Sequence, residues 1–376
     1  MKTHPFTIAV EDSVLTDLEQ RLAATRLAGN VDKESWNYGT SPAYINELLE
    51  YWQDTFDWRK AEKKLNQLPQ YKTNIDGMDI HFIHQKTNDP KAPTMILLHG
   101  WPDSFIRFNK ILPLLTHPAD GEQGFNVIVP SIPGFGFSSK PQAPGWTVKS
   151  SAHIFTQLMG GLGYTSYIAV GGDGGSPIAQ LMAHQAPEAV KGVYLTDRGF
   201  TASAPDPATQ SEAEKAYFQA MQMYSFTEGA YAMLQMTKPQ TLAYGLNDSP
   251  VGLASWIIEK FYGWSDNGGN LDNTFTKDEL LTNIMIYWAT QTIDSSIRVY
   301  REELLSPSIP AGTFLKAPTG FGLFPKEAAG VFPPEELLKR DFNLVYRSEL
   351  AHGGHFTAME QPKLMASDLR AFSSKL

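Results

Sequence analysis

The sequence predicts an α/β protein with a mostly parallel central sheet, a helical cap inserted into the sheet and a helical N-terminal extension. Three observations lead to this prediction. Short, unbroken apolar runs alternate with helical segments over residues 91–200, helix-forming residues replace this alternation over 201–305, and the apolar runs return over 306–376. Buried parallel strands have this unbroken apolar character, and helices connect them.

The N-terminal extension, residues 1–90, precedes this pattern. The stretch "EDSVLTDLEQRLAATRL" has apolar residues at helical spacing, and we expect Asp12 or Ser13 as its N-cap. "SPAYINELLEYWQDTF" begins in a similar way. The stretch "YKTNIDGMDIHFIH" predicts two strands joined by a hairpin turn at Asp76-Gly77.

The core is predicted in two parts, residues 91–200 and 306–376. The first part has the strands "PTMILLH", "NVIVP", "YIAV" and "GVYLT" with helices between them, and the second has the strands "GTFLKAP" and "NLVYRS" and a closing helix. A helical block inserted into such a sheet commonly covers a site at the strand ends. We therefore expect residues 201–305 to form a cap over the site.

Composition narrows the classes of function. The chain has 376 residues, of which 42% are hydrophobic, so it can bury a large core. Its net charge of -9 disfavours nucleic acid and anionic membrane surfaces as partners. It has no cysteine, which fits a cytoplasmic location and removes disulfides and thiolate sites. No apolar run approaches the roughly 20 residues of a membrane span, and the start lacks the apolar segment of a signal peptide.

The stretch "YIAVGGDGGS" carries the strongest chemical signal. It predicts a strand, a tight turn and a helix, with Asp173 at the apex between two pairs of glycines. Glycine allows positive φ and close backbone approach, so this spacing is typical of a nucleophile elbow, which usually presents serine. A carboxylate is already anionic at neutral pH and can displace a group at saturated carbon, forming an ester. Water can then attack the ester carbonyl and release the product.

The same stretch also fits a turn in which Asp173 caps the following helix. Glycine-rich turns between a strand and a helix are common, although neither the dinucleotide-binding fingerprint nor the phosphate-loop lysine motif is present. Both interpretations stay open on this stretch alone, so the partners of Asp173 decide between them.

A late histidine and an acid occur in the chain order that a triad of this kind requires. His355 follows the predicted strand "NLVYRS" and two glycines, with His352 as its rival. Glu327 follows the preceding strand, "GTFLKAP", and would orient the imidazole. A structural histidine and an exposed glutamate at a helix start are the alternatives.

An oxyanion hole requires two backbone amides beside the nucleophile. One is expected from Gly174, directly after Asp173, and the other from Trp101 in "ILLHGWPDS", where Gly100 lets the chain turn back. The alternative is an ordinary strand exit with His99 as a packing residue. Four features in the correct chain order are more specific than any one of them.

The chain resembles the epoxide hydrolases of the α/β-hydrolase fold, in particular the microsomal-type branch with an N-terminal extension. The resemblance rests on "HGWP" at 99–102, "PSIPGFGFS" at 130–138, "GGDGGS" at 171–176, "TKPQTLAYGLNDSPVGLASWIIEKF" at 237–261 and "GGHF" at 353–356. "WNYGT" at 36–40 and "FDWRKAE" at 56–62 add to it, so the likeness covers nearly the whole chain.

The resemblance implies that Asp173 opens the epoxide, that His355 activates water and that Glu327 is its charge partner. It also implies two cap tyrosines that hold the epoxide oxygen, which map to Tyr231 and Tyr300 by local pattern. A phenol can hydrogen-bond to an alkoxide and protonate it.

The first tyrosine has neighbours of the same type. Tyr224 and Tyr244 lie close to Tyr231 in the sequence, and aromatic cap residues are often packing residues. The family usually has tryptophan after the nucleophile, where this chain has Gly174; the amide is kept, but a wall of the pocket is lost. The mammalian relatives carry an N-terminal membrane anchor, whereas this chain begins at the extension, so we expect a soluble protein. The resemblance also implies a homodimer.

The expected reaction is the hydrolysis of a small hydrophobic epoxide to a vicinal diol by water, with no metal and no organic cofactor. Three alternatives remain. A haloalkane or haloacid dehalogenase shares the aspartyl ester chemistry, but a departing halide needs nitrogen donors, typically an indole N–H beside the nucleophile, which Gly174 cannot supply and Trp101 can. A non-catalytic ligand-binding protein of the same fold would bind without turnover. An ordinary esterase is disfavoured because the elbow has no serine.

Overall fold

The computed structural model describes residues 1–29, 31–32, 35–199 and 205–376. Within this part of the chain, a nine-stranded sheet has the order β1-β2-β3-β5-β4-β6-β7-β8-β9. The strands are β1 (Thr3–Pro5), β2 (Gln70–Ile75), β3 (Met78–Gln85), β4 (Thr94–Leu98), β5 (Asn126–Pro130), β6 (Tyr167–Gly171), β7 (Val190–Leu195), β8 (Leu315–Leu323) and β9 (Phe342–Glu349).

The sheet is parallel from β5 to β9 and antiparallel at the β1 edge. Every residue of β4 and β6 is buried, as the unbroken apolar runs of these segments predict. The parallel register places Leu98 opposite Gly171, so these two strands end side by side. The loops that follow them therefore meet at one edge of the sheet, where sites form in α/β proteins.

The N-terminal extension belongs to the sheet through three strands. The predicted hairpin is present as β2 and β3, with positive φ at both Asp76 and Gly77. β1 was not expected from the sequence, and it adds to the edge of the sheet by pairing with β2. In the described part of the extension, three helices lie between β1 and β2: α1 (Asp12–Ala23), α2 (Pro42–Asp54) and α3 (Trp58–Leu65).

The expected N-cap of α1 was wrong by one residue. The helix begins at Asp12, so Glu11 is the N-cap, and its side chain makes no capping hydrogen bond. The carboxylate of Asp12 instead stabilises the first turn, where it complements the helix dipole and pairs with Arg59. α2 has the expected kind of cap, because the Ser41 hydroxyl accepts the backbone N–H of Tyr44.

Six helices of the described residues belong to the core. They are α4 (Leu112–Thr116), α5 (Val148–Gly161), α6 (Gly175–Gln185), α13 (Glu335–Asp341), α14 (Thr357–Glu360) and α15 (Pro362–Ser373). α6 packs on β4, β6, β7 and β8 and also against α5, whereas α15 packs on β7 and β8 and against α4. Phe372 of α15 lies against Gly192 and Gly320, where a Cβ would overlap its ring.

A helical cap lies between β7 and β8 in the sequence. Its helices are α7 (Glu212–Glu228), α8 (Ala230–Thr237), α9 (Pro239–Asp248), α10 (Pro250–Trp264), α11 (Lys277–Thr290) and α12 (Ile293–Leu305). α8 and α9 both pack on α12. The predicted division between residues 200 and 201 lies outside the described residues. Among the residues that are described, no helix has the length and apolar character needed to cross a bilayer.

Candidate active site

The turn between β6 and α6 has the geometry of a nucleophile elbow. The backbone φ of Asp173 is 54°, a value that residues other than glycine rarely adopt. A Cβ at Gly171 would lie 2.3 Å from the carbonyl oxygen of Gly175, and a Cβ at Gly175 would lie 2.2 Å from that of Leu98. The two outer glycines are therefore required sterically, because helix α6 begins in contact with the ends of β4 and β6.

Two backbone amides hold one oxygen of the Asp173 carboxylate. Oδ1 accepts the N–H of Trp101 at 2.9 Å and the N–H of Gly174 at 2.6 Å, the two donors that the sequence predicts. Gly100 makes this approach feasible, because a Cβ there would lie 2.1 Å from Oδ1. His99 is a buried packing residue: its Nε2 accepts the N–H of Ile132, and burial lowers its pKa.

His355 and Glu327 complete a chain of three side chains. His355 Nε2 lies 3.6 Å from Asp173 Oδ2, and its Nδ1 lies 2.7 Å from Glu327 Oε1. The loops that carry the histidine and the glutamate also pair with each other through a bridge between Lys326 and Gly354. The rival His352 is exposed to solvent.

The three groups change each other's protonation. Burial acts to lower the pKa of His355, but the charge and hydrogen bond of Glu327 and the charge of Asp173 outweigh it and raise that pKa to about 9. Burial acts to raise the pKa of Glu327, but the charge and hydrogen bond of His355 lower it. For Asp173, burial dominates and its pKa is raised, although His355 and the two amides oppose this.

The two predicted cap tyrosines converge on Trp101. Tyr231 of α8 stacks on the Trp101 indole with ring centroids 5.6 Å apart, and Tyr300 of α12 meets the same indole edge-on at 6.2 Å. A hydrogen bond links the two phenols. Burial raises the pKa of both, and the nearby Asp173 charge adds to this, so both hydroxyls stay protonated at neutral pH.

Comparisons with known proteins point to one family over nearly the whole chain. A family model described as the epoxide hydrolase N terminus matches residues 3–108, and one described as the alpha/beta hydrolase fold matches residues 93–234. A putative epoxide hydrolase of Stigmatella aurantiaca is 42% identical over 97% of this chain and 83% of its own length. Epoxide hydrolase 1 of Sus scrofa is 38% identical over 99% of this chain and 88% of its own length. The chain belongs to the epoxide hydrolase family.

Solved structures of epoxide hydrolases have the same fold. The Aspergillus niger epoxide hydrolase superposes with a TM-score of 0.87 at 32% identity, covering 100% of this chain and 97% of the other. The juvenile hormone epoxide hydrolase of the silkworm Bombyx mori superposes with a TM-score of 0.86 at 31% identity, covering 100% and 94%. The predicted family and the predicted α/β-hydrolase fold, with its helical cap and N-terminal extension, are thus confirmed.

The epoxide hydrolase site opens into a cavity of about 170 Å³ between the cap and the sheet. Apolar and aromatic side chains form most of its wall, as expected for a pocket that takes a hydrophobic ligand. Its wall includes Asp173, Asp197, Tyr217, Met221, Tyr224, Tyr231, Trp264, Phe324, Glu327, Val331, Phe332 and His355.

The neighbouring tyrosines differ in position. Tyr244 is 72% exposed and is not one of the residues that line the cavity, whereas Tyr224 is a cavity residue with a buried hydroxyl. Only Tyr231 contacts both the Trp101 ring and the Tyr300 ring among these three tyrosines. Among the described residues, no group of three or more histidine, aspartate or glutamate side chains could hold a metal ion.

Sequence reasoning missed two charged residues of this epoxide hydrolase site. Asp197 accepts the N–H of Asp173 at 2.7 Å, and burial together with the Glu327 charge raises its pKa to about 6. It directly follows β7, so the strand-end position was a signal for it. Arg107 is buried, pairs with Asp103 and donates to the carbonyl oxygen of His355. Its position in a short 3₁₀ helix gave no signal.

Proposed function

We propose that this chain hydrolyses a small hydrophobic epoxide to a vicinal diol, with Asp173 as nucleophile and His355 as base. One observation carries the proposal: the two oxygens of Asp173 have different surroundings. Two amides hold Oδ1, while Oδ2 lies towards Nε2 of His355 and is free of those amides. A carboxylate held in this way can attack with Oδ2 and leave Oδ1 in place for the next step.

In the first step, Oδ2 bonds to one epoxide carbon and the bond from that carbon to the epoxide oxygen breaks. Tyr231 and Tyr300 donate hydrogen bonds to the departing oxygen, and one of them transfers its proton. The ester removes the negative charge that helped to raise the pKa of His355. The imidazolium can therefore release its proton, which restores the phenol and leaves the histidine neutral.

In the second step, neutral His355 takes a proton from water, and the hydroxide adds to the ester carbonyl carbon. The negative charge develops on Oδ1, where the amides of Trp101 and Gly174 already point. Collapse breaks the bond from the carbonyl carbon to Oδ2, and the added hydroxyl supplies the proton for the diol. The carboxylate and imidazolium of the resting enzyme are restored, and Glu327 stabilises the imidazolium that forms again in this step.

A single turnover in ¹⁸O-labelled water tests this scheme. With a simple epoxide such as styrene oxide, we expect labelled oxygen in the Asp173 side chain, detected by peptide mass spectrometry, and unlabelled oxygen in the first diol. Label that appears directly in the first diol would show direct attack by water and contradict the covalent scheme.

The same preparation separates the alternatives. Halide release from a chloroalkane without diol formation from styrene oxide would favour a dehalogenase. Binding of the epoxide with neither ester nor diol would favour a non-catalytic protein of the same fold. Two hydroxyl donors from the cap, rather than a pair of nitrogen donors, support the epoxide.

We also propose a cytoplasmic location and a homodimer. The absence of cysteine supports the first, and the resemblance to the family supports the second. The net charge of -9 supports a small-molecule substrate and no nucleic acid partner. Analytical ultracentrifugation of the purified chain tests the dimer, since a monomer at micromolar concentration would contradict it.

A further inference from the structure

The loop that carries His355 rests on the end of a cap helix. The backbone N–H of His355 donates to the carbonyl oxygen of Trp264, the last residue of α10, at 2.7 Å. Next to it, the N–H of Gly353 donates to Asp266 Oδ2 at 3.0 Å. A Cβ at Gly354 would lie 2.5 Å from the Trp264 oxygen, so the two backbones are in close contact. The position of the base therefore depends on the cap as well as on the sheet.

One carboxylate joins these two segments. Glu360, the last residue of α14, accepts the N–H of Asp266 at 2.8 Å and that of Gly354 at 2.9 Å on Oε2, and it accepts the N–H of Phe356 at 2.8 Å on Oε1. The first donor belongs to the segment after α10, and the other two belong to the residues on either side of His355. Three backbone N–H groups converge on this one carboxylate, so it connects the cap segment to the His355 loop, and the connection is stronger when the carboxylate is ionised.

We propose that Glu360 is a positioning residue for His355, acting in the hydrolysis of the ester. This inference rests on the proposed function. His355 must keep Nδ1 on Glu327 while Nε2 reaches a water beside the Asp173 carbonyl carbon, and a small displacement of such a group is costly. The alkylation step uses Asp173, in the turn before α6, and Tyr231 and Tyr300, which belong to α8 and α12, whereas Glu360 accepts hydrogen bonds from Asp266, Gly354 and Phe356.

The substitution Glu360→Gln tests this division between the two steps. An amide has one acceptor oxygen, so it cannot accept all three N–H groups. Its NH₂ group is itself a donor and would face at least one of these N–H groups without forming a hydrogen bond. In single turnovers with styrene oxide, we expect alkylation within about twofold of wild type and ester hydrolysis slowed by about tenfold or more. The ester should then accumulate on Asp173 and be visible by intact mass.

Glu62→Gln is the matched control. Glu62 is a buried carboxylate that accepts the N–H of Val10 and the indole N–H of Trp58, within the N-terminal extension. We expect it to lower the thermal stability without ester accumulation. If Glu360→Gln slows both steps equally, or neither, the positioning role is wrong. If Glu360→Gln does not fold, Asp266→Ala, which removes the acceptor of the Gly353 N–H, must show the same split between the steps.

His355→Gln separates this inference from the proposed function. It should accumulate the ester whatever the role of Glu360. Accumulation in His355→Gln with normal turnover in Glu360→Gln would overturn the positioning role alone. No ester in His355→Gln, with alkylation also absent, would overturn the proposed function and the positioning role with it.

Discussion

Tyr231 stacks on Trp101, with ring planes 10° apart and centroids separated by 5.6 Å. Trp101 belongs to the loop after β4, and its amide holds the nucleophile, whereas Tyr231 belongs to the cap. The buried ammonium of Lys260 also lies 4.5 Å from the Tyr231 ring centroid. The ring of the proposed proton donor is thus held by both layers of the protein, and its hydroxyl is fixed relative to the two amides.

Removing one hydroxyl at a time should show that ester formation depends on Tyr231 and Tyr300 and not on the neighbouring Tyr224. Tyr231→Phe and Tyr300→Phe keep the ring contacts but lose the donor, so we expect each to slow ester formation by about 10²-fold. Tyr224→Phe is the matched control, since it removes a cavity hydroxyl of the same type, and it should stay within about threefold of wild type. Rapid-quench measurement of ester formation checks this. A larger loss in Tyr224→Phe than in Tyr231→Phe would show that the first tyrosine was assigned wrongly.

Asp173→Asn should abolish turnover without harming the fold. The amide keeps one oxygen for the Trp101 and Gly174 N–H groups but is not a nucleophile, so we expect diol formation to fall by more than about 10⁴-fold. Burial raises the pKa of Asp173, which means that the folded protein disfavours its charge. The melting temperature should therefore be equal to that of wild type or higher.

Intact mass before and after the assay controls for deamidation of the new asparagine. Undiminished diol formation by protein that is still asparagine at this position would contradict the role of Asp173.

The sequence predicted those parts of the site that depend on local spacing. The glycines around Asp173 fix the elbow because the contacts of Gly171 and Gly175 follow from a strand that turns directly into a helix. Chain order then located Glu327 and His355 on loops that follow neighbouring strands. These features need only the turn and the order of the strands.

Contacts between distant segments were not predictable in this way. Arg107 meets the carbonyl oxygen of His355 across 248 residues of sequence, and Glu360 meets the N–H of Asp266 across 94. Neither residue lies in a pattern of its own, because each acts on the backbone of another segment. β1 was missed for a related reason: three residues have no periodicity, and their pairing with β2 alone makes them a strand.

The free energy of unfolding should fall as the pH rises from about 6.5 to about 9, because His355 loses its proton in this range. Its pKa is 6.5 in the unfolded chain and about 9 in the fold, where Glu327 and Asp173 favour the charged form against burial. The folded protein therefore binds the proton more tightly, and this contribution to stability is fully present below pH 6.5 and lost as the pH rises through 9. The slope approaches about 1.4 kcal/mol per pH unit within this window.

Urea unfolding of wild type and His355→Gln at several pH values measures this effect. Glu360 and Asp197 also titrate near neutral pH, and the charge of His355 lowers the pKa of both, so the difference between the two free energies of unfolding contains this coupling as well as the proton of His355 itself. The difference should shrink between pH 6.5 and 9. A difference that stays constant across this window would show that the pKa of His355 is not raised.

Gly174→Trp should narrow the range of epoxides while keeping the chemistry. Gly174 has ordinary helical φ and ψ, and a Cβ would meet only the Gly100 Cα at 3.6 Å, so the backbone accepts a side chain. Its amide would still hold Asp173 Oδ1, and the new side chain would begin directly next to the nucleophile. We expect ester hydrolysis within about threefold of wild type, and kcat/KM for bulky epoxides reduced by about tenfold relative to small ones.

Gly175→Ala is the contrasting variant, because its Cβ would lie 2.2 Å from the Leu98 oxygen and should disrupt the elbow for every substrate. Equal losses for small and bulky epoxides in Gly174→Trp would mean that the missing side chain does not set the size of the pocket.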